Sequence, residues 1–148
     1  MSKYEDADLI LKLYDMRREE VMRKARNWFF EFNPEGLQDF QAVMMSEHSA
    51  YYRMVTTYWD MACSFVNNGA IDPKMFADAN AEHMAIYLKL EPFLPELRQV
   101  FDMPTYLQNL EQCVKSGPNA EEYMTKMRER FAKFRAMREE AAKKAQAG

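Results

Sequence analysis

Apolar side chains recur at steps of three and four residues along most of the chain, which is the pattern of amphipathic helices. The first such stretch predicts a helix from Asp6, whose carboxylate can accept hydrogen bonds from the first turn, to about Phe32. Arg17 interrupts its apolar stripe. The sequence has no sustained run of alternating β-branched residues, so the pattern predicts an all-α fold.

A second helical pattern follows the turn at Asn33 and Pro34. Asn33 can cap a helix, and Pro34 suits the first helical position because its missing N–H has no partner there. Apolar spacing then continues over residues 37–68, which would make an unusually long helix. We expect a break near residues 46–49, where two serines can cap a restart, and one unbroken helix is the alternative.

Asp72 and Pro73 are again a capping residue followed by proline, and they predict a third long helix, to about Leu90. Prolines then interrupt the pattern over residues 92–104, because proline lacks an amide donor and clashes with the preceding turn. A short helix over residues 95–101 is predicted within that segment.

Two further helices complete the pattern. One is predicted from Thr105 to about Lys115, and the last begins after Asn119, which can cap it, and frays over about residues 140–148. The chain is therefore predicted to be one domain, residues 1–148, folded as an irregular up-down bundle of six or seven helices.

Charges are unevenly placed along the chain. Its net charge is −3, but residues 1–30 carry +1, residues 31–119 carry −7 and residues 120–148 carry +3. We expect this contrast to help align terminal and central helices, or the two copies of a dimer. The basic excess of the last helix is scattered and small, which favours a solvated face and no binding to nucleic acid.

Cys63 and Cys113 lie in predicted helices without the spacing of metal ligands, and we interpret them as core residues. No stretch is apolar enough for a signal peptide or a membrane span. We therefore expect a cytoplasmic protein without a membrane partner. The sequence predicts no cofactor.

The two histidines occur in the same dipeptide, Glu47-His48 and Glu82-His83, on two predicted helices. Asp78 lies four residues before Glu82 and shares its helical face, so these five residues form a possible carboxylate and histidine metal site. The preferred interpretation is structural, with His83 partly buried and His48 at the helix break. Metal or small-ligand binding is the alternative.

Four charged residues are candidates for ion pairs in the interior, because each lies near an apolar stripe: Arg17, Arg53, Asp60 and Arg98. A buried pair of this kind is costly to break. An arginine in a pocket can instead hold a carboxylate or phosphate, which is the less favoured interpretation.

Thirteen methionines are many for 148 residues. Flexible thioethers fill irregular cores and, at a surface, make adaptable binding grooves. Most of them fit the predicted core, but Met16, Met45, Met84 and Met137 do not fit the main stripes. These four are predicted to mark a second apolar face and hence a subunit contact.

Several short motifs together resemble a widespread bacterial family of small helical proteins of unknown function, over about residues 15–112. They are Met16–Arg18, Trp28–Phe29, Trp59, Phe65–Val66, Gly69–Asp72, Leu90–Leu94 and Leu97–Arg98. The resemblance implies a helical fold and supplies no catalytic residue. It also implies that Arg98 fastens the proline-broken segment, to Asp60 or Asp72.

The sequence carries no phosphate-binding loop, dinucleotide turn, nucleophile elbow or HExxH motif. We therefore expect a helical protein that acts by binding, as a homodimer or as the partner of another protein, and we lean against an enzyme.

Overall fold

The computed structural model describes residues 2–148 and contains no strand within them, which confirms the predicted all-α class. The described residues divide into two compact units, one up to Gly117 and one from Pro118 to Gly148. The helices of the first unit are α1 (Lys3–Arg17), α2 (Glu20–Glu31), α3 (Leu37–Met44), α4 (Ser49–Asn67), α5 (Pro73–Ala79), α6 (Glu82–Leu90), α7 (Leu94–Val100) and α8 (Gln108–Ser116).

Ser2, rather than Asp6, begins α1: the Ser2 hydroxyl accepts a hydrogen bond from the Glu5 amide at 3.2 Å. The predicted cap at Asp6 is therefore wrong. Asp6 lies buried one turn inside the helix, and its carboxylate accepts the Asp72 amide at 2.9 Å. The residue thus fastens the start of α5 to α1.

The first predicted helix is two helices, because the chain breaks at Arg18 and Glu19. The Glu19 carboxylate accepts hydrogen bonds from the Val21 and Met22 amides at 3.0 and 2.9 Å and begins α2. These two bonds lower the pKa of Glu19. The apolar spacing continues across the break, so periodicity alone does not reveal it.

A break near residues 46–49 is confirmed: α3 ends at Met44 and α4 begins at Ser49. The Ser46 hydroxyl accepts the His48 amide at 3.1 Å, as expected of a serine at a restart. The predicted helix start at Asn33 is wrong, since α3 begins after Gly36. Asp39 reaches back to accept the Gly36 amide at 3.3 Å.

Asp72 caps α5 as predicted, with its carboxylate on the Met75 amide at 2.9 Å and Pro73 in the first turn. The predicted long helix nevertheless ends at Ala79 and restarts at Glu82 as α6. Asn80 adopts an extended conformation between them, and its side chain donates to the Phe76 carbonyl at 3.2 Å. Phe76 and His83 are both buried, so the apolar pattern again runs across the break.

The proline-broken segment begins with a 3-10 turn, Glu91–Phe93, and continues into α7. The next helix, α8, begins at Gln108 instead of Thr105. Leu107 precedes it in the left-handed region with φ of 55°, and Asp102 has φ of 51°. Because of these turn conformations, α8 begins three residues later than predicted.

Helix α4 is the centre of the first unit, where it packs against α2 and α8. Its buried side chains include Tyr52, Val55, Trp59, Ala62, Cys63 and Val66. They fall on more than one side of the helix, so neighbouring helices surround it.

The second unit is one helix, α9 (Ala120–Ala147), of 28 residues. Asn119 precedes it with φ of 62°, at the predicted cap position, but its side chain makes no capping hydrogen bond. Helical structure extends to Ala147, over the residues predicted to fray. The described residues thus form nine α-helices, more than the six or seven expected. None of these helices is both long and apolar enough to span a bilayer.

Candidate functional site

A groove of about 610 Å³ lies between α1, α2 and α4. We call it the methionine groove, because four of its seven lining residues are methionines. The lining residues are Met16, Glu19, Met22, Met54, Thr57, Tyr58 and Met61. Met22 is buried, whereas Met16 is 51% exposed. The groove therefore offers flexible apolar side chains at the surface.

The break between α1 and α2 helps to position this groove. Glu19 begins α2 and lies in the groove wall. From the opposite wall, the Tyr58 hydroxyl on α4 donates a hydrogen bond to the Leu13 carbonyl on α1. Burial raises the pKa of Tyr58 to about 12, so its hydroxyl keeps its proton and stays a donor near neutral pH.

Two arginines bind one carboxylate beside the groove. Arg26 donates through Nε to both oxygens of Glu82 at 3.0 Å, and its Nη2 lies 2.9 Å from Oε2. Arg17 approaches the same oxygen at 3.4 Å, and its guanidinium lies 5.4 Å from the centre of the Trp59 ring. Glu82 is nearly buried, with 8% of its side chain exposed. The cluster joins α1, α2 and α6.

His83 lies buried between aromatic rings, 5.8 Å from Trp59 and 5.0 Å from Phe76. Its Nδ1 has no hydrogen-bond partner among the described residues. Burial lowers the pKa of His83 to about 4, so its ring is neutral at physiological pH. His48 instead stacks on Trp28 at 5.4 Å and on Tyr51 at 5.9 Å. The two histidines contact different rings.

The remaining members of the possible metal site have partners of their own. Asp78 pairs with Lys74 at 2.8 Å on the surface. Glu47 is exposed and lies 3.8 Å from His48. Across residues 2–148 no three His, Cys, Asp or Glu residues are grouped so that they could hold a metal ion. The contacts of Glu82 and His83 favour the structural interpretation.

The other ion-pair candidates have separate surroundings. Arg98 donates to the Tyr106 carbonyl at 2.9 Å and to Glu111 at 3.2 Å, so its partners are neither Asp60 nor Asp72. Asp60 accepts the Leu110 amide at 2.9 Å, in the first turn of α8. Arg53 is exposed on α4. Arg98 therefore fastens α7 to the turn before α8. Helix α7 belongs to the proline-broken segment that the resemblance expected Arg98 to fasten.

Two contacts were absent from the sequence predictions. Tyr52 and Tyr106 share a hydrogen bond between hydroxyls at 2.7 Å, and burial raises the pKa of both. The Cys63 and Cys113 thiols also interact, which raises the pKa of Cys63 and lowers that of Cys113. Both cysteines are free. These partners are distant in sequence, so no spacing could reveal them.

A second groove, of about 310 Å³, lies between α3 and α7. Seven of its eight lining residues are apolar, and the eighth is Gln41. The apolar ones are Leu37, Phe40, Met44, Met45, Leu97, Val100 and Phe101. We call it the α3/α7 groove. Phe40 and Leu97 are buried, whereas Met45 is 90% exposed.

Comparisons with known proteins place the first unit in a family. No curated protein and no solved structure matches the chain. A family model does match, over residues 4–116, and its family is described as a domain of unknown function, DUF4760, as the resemblance to proteins of unknown function implied. The match takes in α1 to α8 and ends before α9. Because it covers more than half of the chain, the chain belongs to the DUF4760 family.

Proposed function

We propose that this chain acts by binding other protein chains, including a second copy of itself, through apolar side chains on its surface. The observation that carries the proposal is the methionine groove, a surface depression of about 610 Å³ lined mainly by thioethers. Methionine side chains adapt to differently shaped apolar partners, and such surfaces are typical of proteins that bind other chains.

Exposed apolar residues support the same proposal. Of the four methionines that did not fit the predicted core stripes, Met16, Met45 and Met137 are more than half exposed. Met84 is only partly exposed. Large exposed side chains next to grooves are typical of surfaces that associate.

Polar groups near the methionine groove support binding rather than catalysis. Glu82 is held by Arg17 and Arg26, and the hydroxyl of Tyr58 is bonded to a backbone carbonyl. A general base or nucleophile needs a free lone pair directed at a substrate. The Glu82 oxygens accept hydrogen bonds from arginines, and the Tyr58 hydroxyl donates its proton to the Leu13 carbonyl, so both groups already hold helices together.

Sedimentation velocity over a range of micromolar concentrations tests the self-association. We expect the weight-average sedimentation coefficient to rise with concentration towards that of a dimer. A chain that sediments as a monomer at every concentration contradicts the self-association.

A further inference from the structure

We propose that α9 of a second copy occupies the α3/α7 groove, and that two copies exchange these helices in a dimer with two-fold symmetry. The inference rests on the self-association proposed above and names the surfaces that form it. It concerns contacts between two copies of the chain.

The shape of the groove suits a short stretch of helix. Its walls are α3, of eight residues, and α7, of seven residues. At 1.5 Å per residue α3 is about 12 Å long, which matches about two turns of a docked helix. Val100, on the wall, is 52% exposed, so an incoming apolar side chain has surface to cover. A helix in an apolar groove is a common form of recognition, in which side chains three and four residues apart act as anchors.

Acidic residues outnumber basic ones in the two sequence segments that form this groove. Residues 31–52 contain four acidic residues and no lysine or arginine. On the other wall, the only basic residue within residues 91–111 is Arg98, which is already paired with Glu111. Glu35, Glu96 and Asp102 are exposed near the groove in sequence. The groove therefore favours a basic amphipathic helix over an acidic one.

Helix α9 has that character. Its apolar residues recur at three- and four-residue steps, which places them along one face. They are Tyr123, Met127, Phe131, Phe134 and Met137. Tyr123 is 59% exposed, Phe134 is 61% exposed and Met137 is 63% exposed, so this stripe presents apolar side chains at the surface. Residues 123–138 carry six basic side chains against one acidic.

Basic residues flank the stripe on both sides. Lys133 lies along one edge, and Arg135 lies along the other. Two α9 helices packed on each other would bring these like charges together, which disfavours a coiled coil between them. In the α3/α7 groove of a second copy the same basic side chains would lie near acidic residues instead.

The methionine groove is a poorer site for α9. The exposed charges in and next to its lining residues balance: Arg18, Arg23 and Arg53 are basic, and Asp15, Glu19 and Glu20 are acidic. Charge complementarity thus selects the α3/α7 groove for α9 and leaves the methionine groove for a different partner. Each chain carries one donor helix and one acceptor groove, so reciprocal exchange closes a dimer.

The first test uses two exposed apolar anchors, Phe134→Asp on α9 and Val100→Asp in the groove. Each variant should weaken the dimer about 30-fold or more, as the loss of a central anchor does. Matched controls receive the same carboxylate elsewhere: Ala136→Asp on the opposite face of α9, and Leu11→Asp on α1, in neither groove, where exposure is 65%. Sedimentation velocity measures the dissociation constants, and circular dichroism confirms equal helicity.

A charge-reversal experiment tests whether the two surfaces meet each other. One variant carries Glu96→Lys with Asp102→Lys, and the other carries Lys133→Glu with Arg135→Glu. Each alone should dimerise more weakly, because the reversed side chains then face neighbours of the same sign. Mixed together they should form a heterodimer, since each α9 then meets a groove of opposite charge.

The outcomes separate this inference from the proposed function. A wild-type dimer that Phe134→Asp and Val100→Asp leave intact overturns the exchange of α9 and retains self-association. A wild-type monomer overturns both the exchange of α9 and the self-association. A monomer that sediments with vesicles of phosphatidylserine and phosphatidylcholine assigns the basic stripe to an anionic membrane surface and also overturns the exchange.

Discussion

Glu82 holds the guanidinium groups of two helices in a nearly dehydrated setting. Removing water from three charged groups is costly, and the cost is recovered only while the carboxylate accepts from both arginines. Arg17 and Arg26 keep 13% and 25% of their side chains exposed, so some of this charge remains hydrated. The cluster therefore acts mainly by fixing α6 against α1 and α2.

Glu82→Gln should lower the free energy of unfolding by about 3 kcal/mol, because it leaves two arginines without their carboxylate. Asp78→Asn is the matched control on the same side of the predicted metal site. Its pair with Lys74 is exposed, so its loss should cost less than about 1 kcal/mol. Urea denaturation measures both values.

Metal analysis of the same proteins adds a second comparison. If Asp78 and Glu82 shared a metal ion, the two variants would lower metal content together and by similar amounts. Equal losses of stability and of bound metal would contradict the structural role of Glu82.

His83 makes stability depend on pH in a definite direction. Burial lowers its pKa from 6.5 to about 4 in the folded chain, so between these values only the unfolded chain takes up the proton. This contribution to stability is fully present above pH 6.5 and is lost as the pH falls towards 4. Between pH 7 and pH 5 the wild type should lose about 2 kcal/mol through this residue.

His83→Gln removes that titration, whereas His48→Gln removes the half-exposed histidine immediately before α4 as a control. Urea denaturation at several pH values should show a shallower decline for His83→Gln than for His48→Gln. Parallel curves for all three proteins would show that His83 is protonated in the folded chain too.

At the scale of the element, the helix ends show what the sequence could predict. Asp72 was predictable because capping is local: a carboxylate, a proline and the first-turn amide lie within four residues. The break at Glu19 was not, since apolar spacing continues through it. Asp6 looked like a cap, yet its partner is the distant amide of Asp72. Capping by neighbouring residues can be predicted from the sequence, whereas hydrogen bonds between residues distant in sequence cannot.

Asp72→Ala should lower the free energy of unfolding by about 1 kcal/mol, because the first turn of α5 loses its side-chain acceptor. Asp72→Ser keeps a hydroxyl oxygen at the same place and should recover most of the loss. The backbone amide that Asp6 accepts is present in both variants. Thermal unfolding compares them, and equal midpoints for alanine and serine would refute the capping role.

At the scale of the whole molecule, the all-α class followed from periodicity, whereas the candidate site did not. Met16 and Met45 were predicted to form a second apolar face because they departed from the stripes, and the structure places each in a different groove. Assigning each methionine to its groove required the arrangement of the helices in space. The pairing of Arg26 with Glu82 was missed for the same reason, since 56 residues separate them.

Residues 132–148 offer a way to separate folding from association, because all of them are exposed. They lie beyond the DUF4760 match and include Phe134, Arg135 and Met137. A chain that ends at Phe131 loses little buried surface, so its thermal midpoint should stay close to that of the full chain. It also loses two of the three exposed apolar residues of the α9 stripe, Phe134 and Met137, and sedimentation should show a monomer where the full chain dimerises. A truncated chain that still dimerises would place the contact elsewhere, and one that unfolds would show that residues 132–148 are needed for the fold.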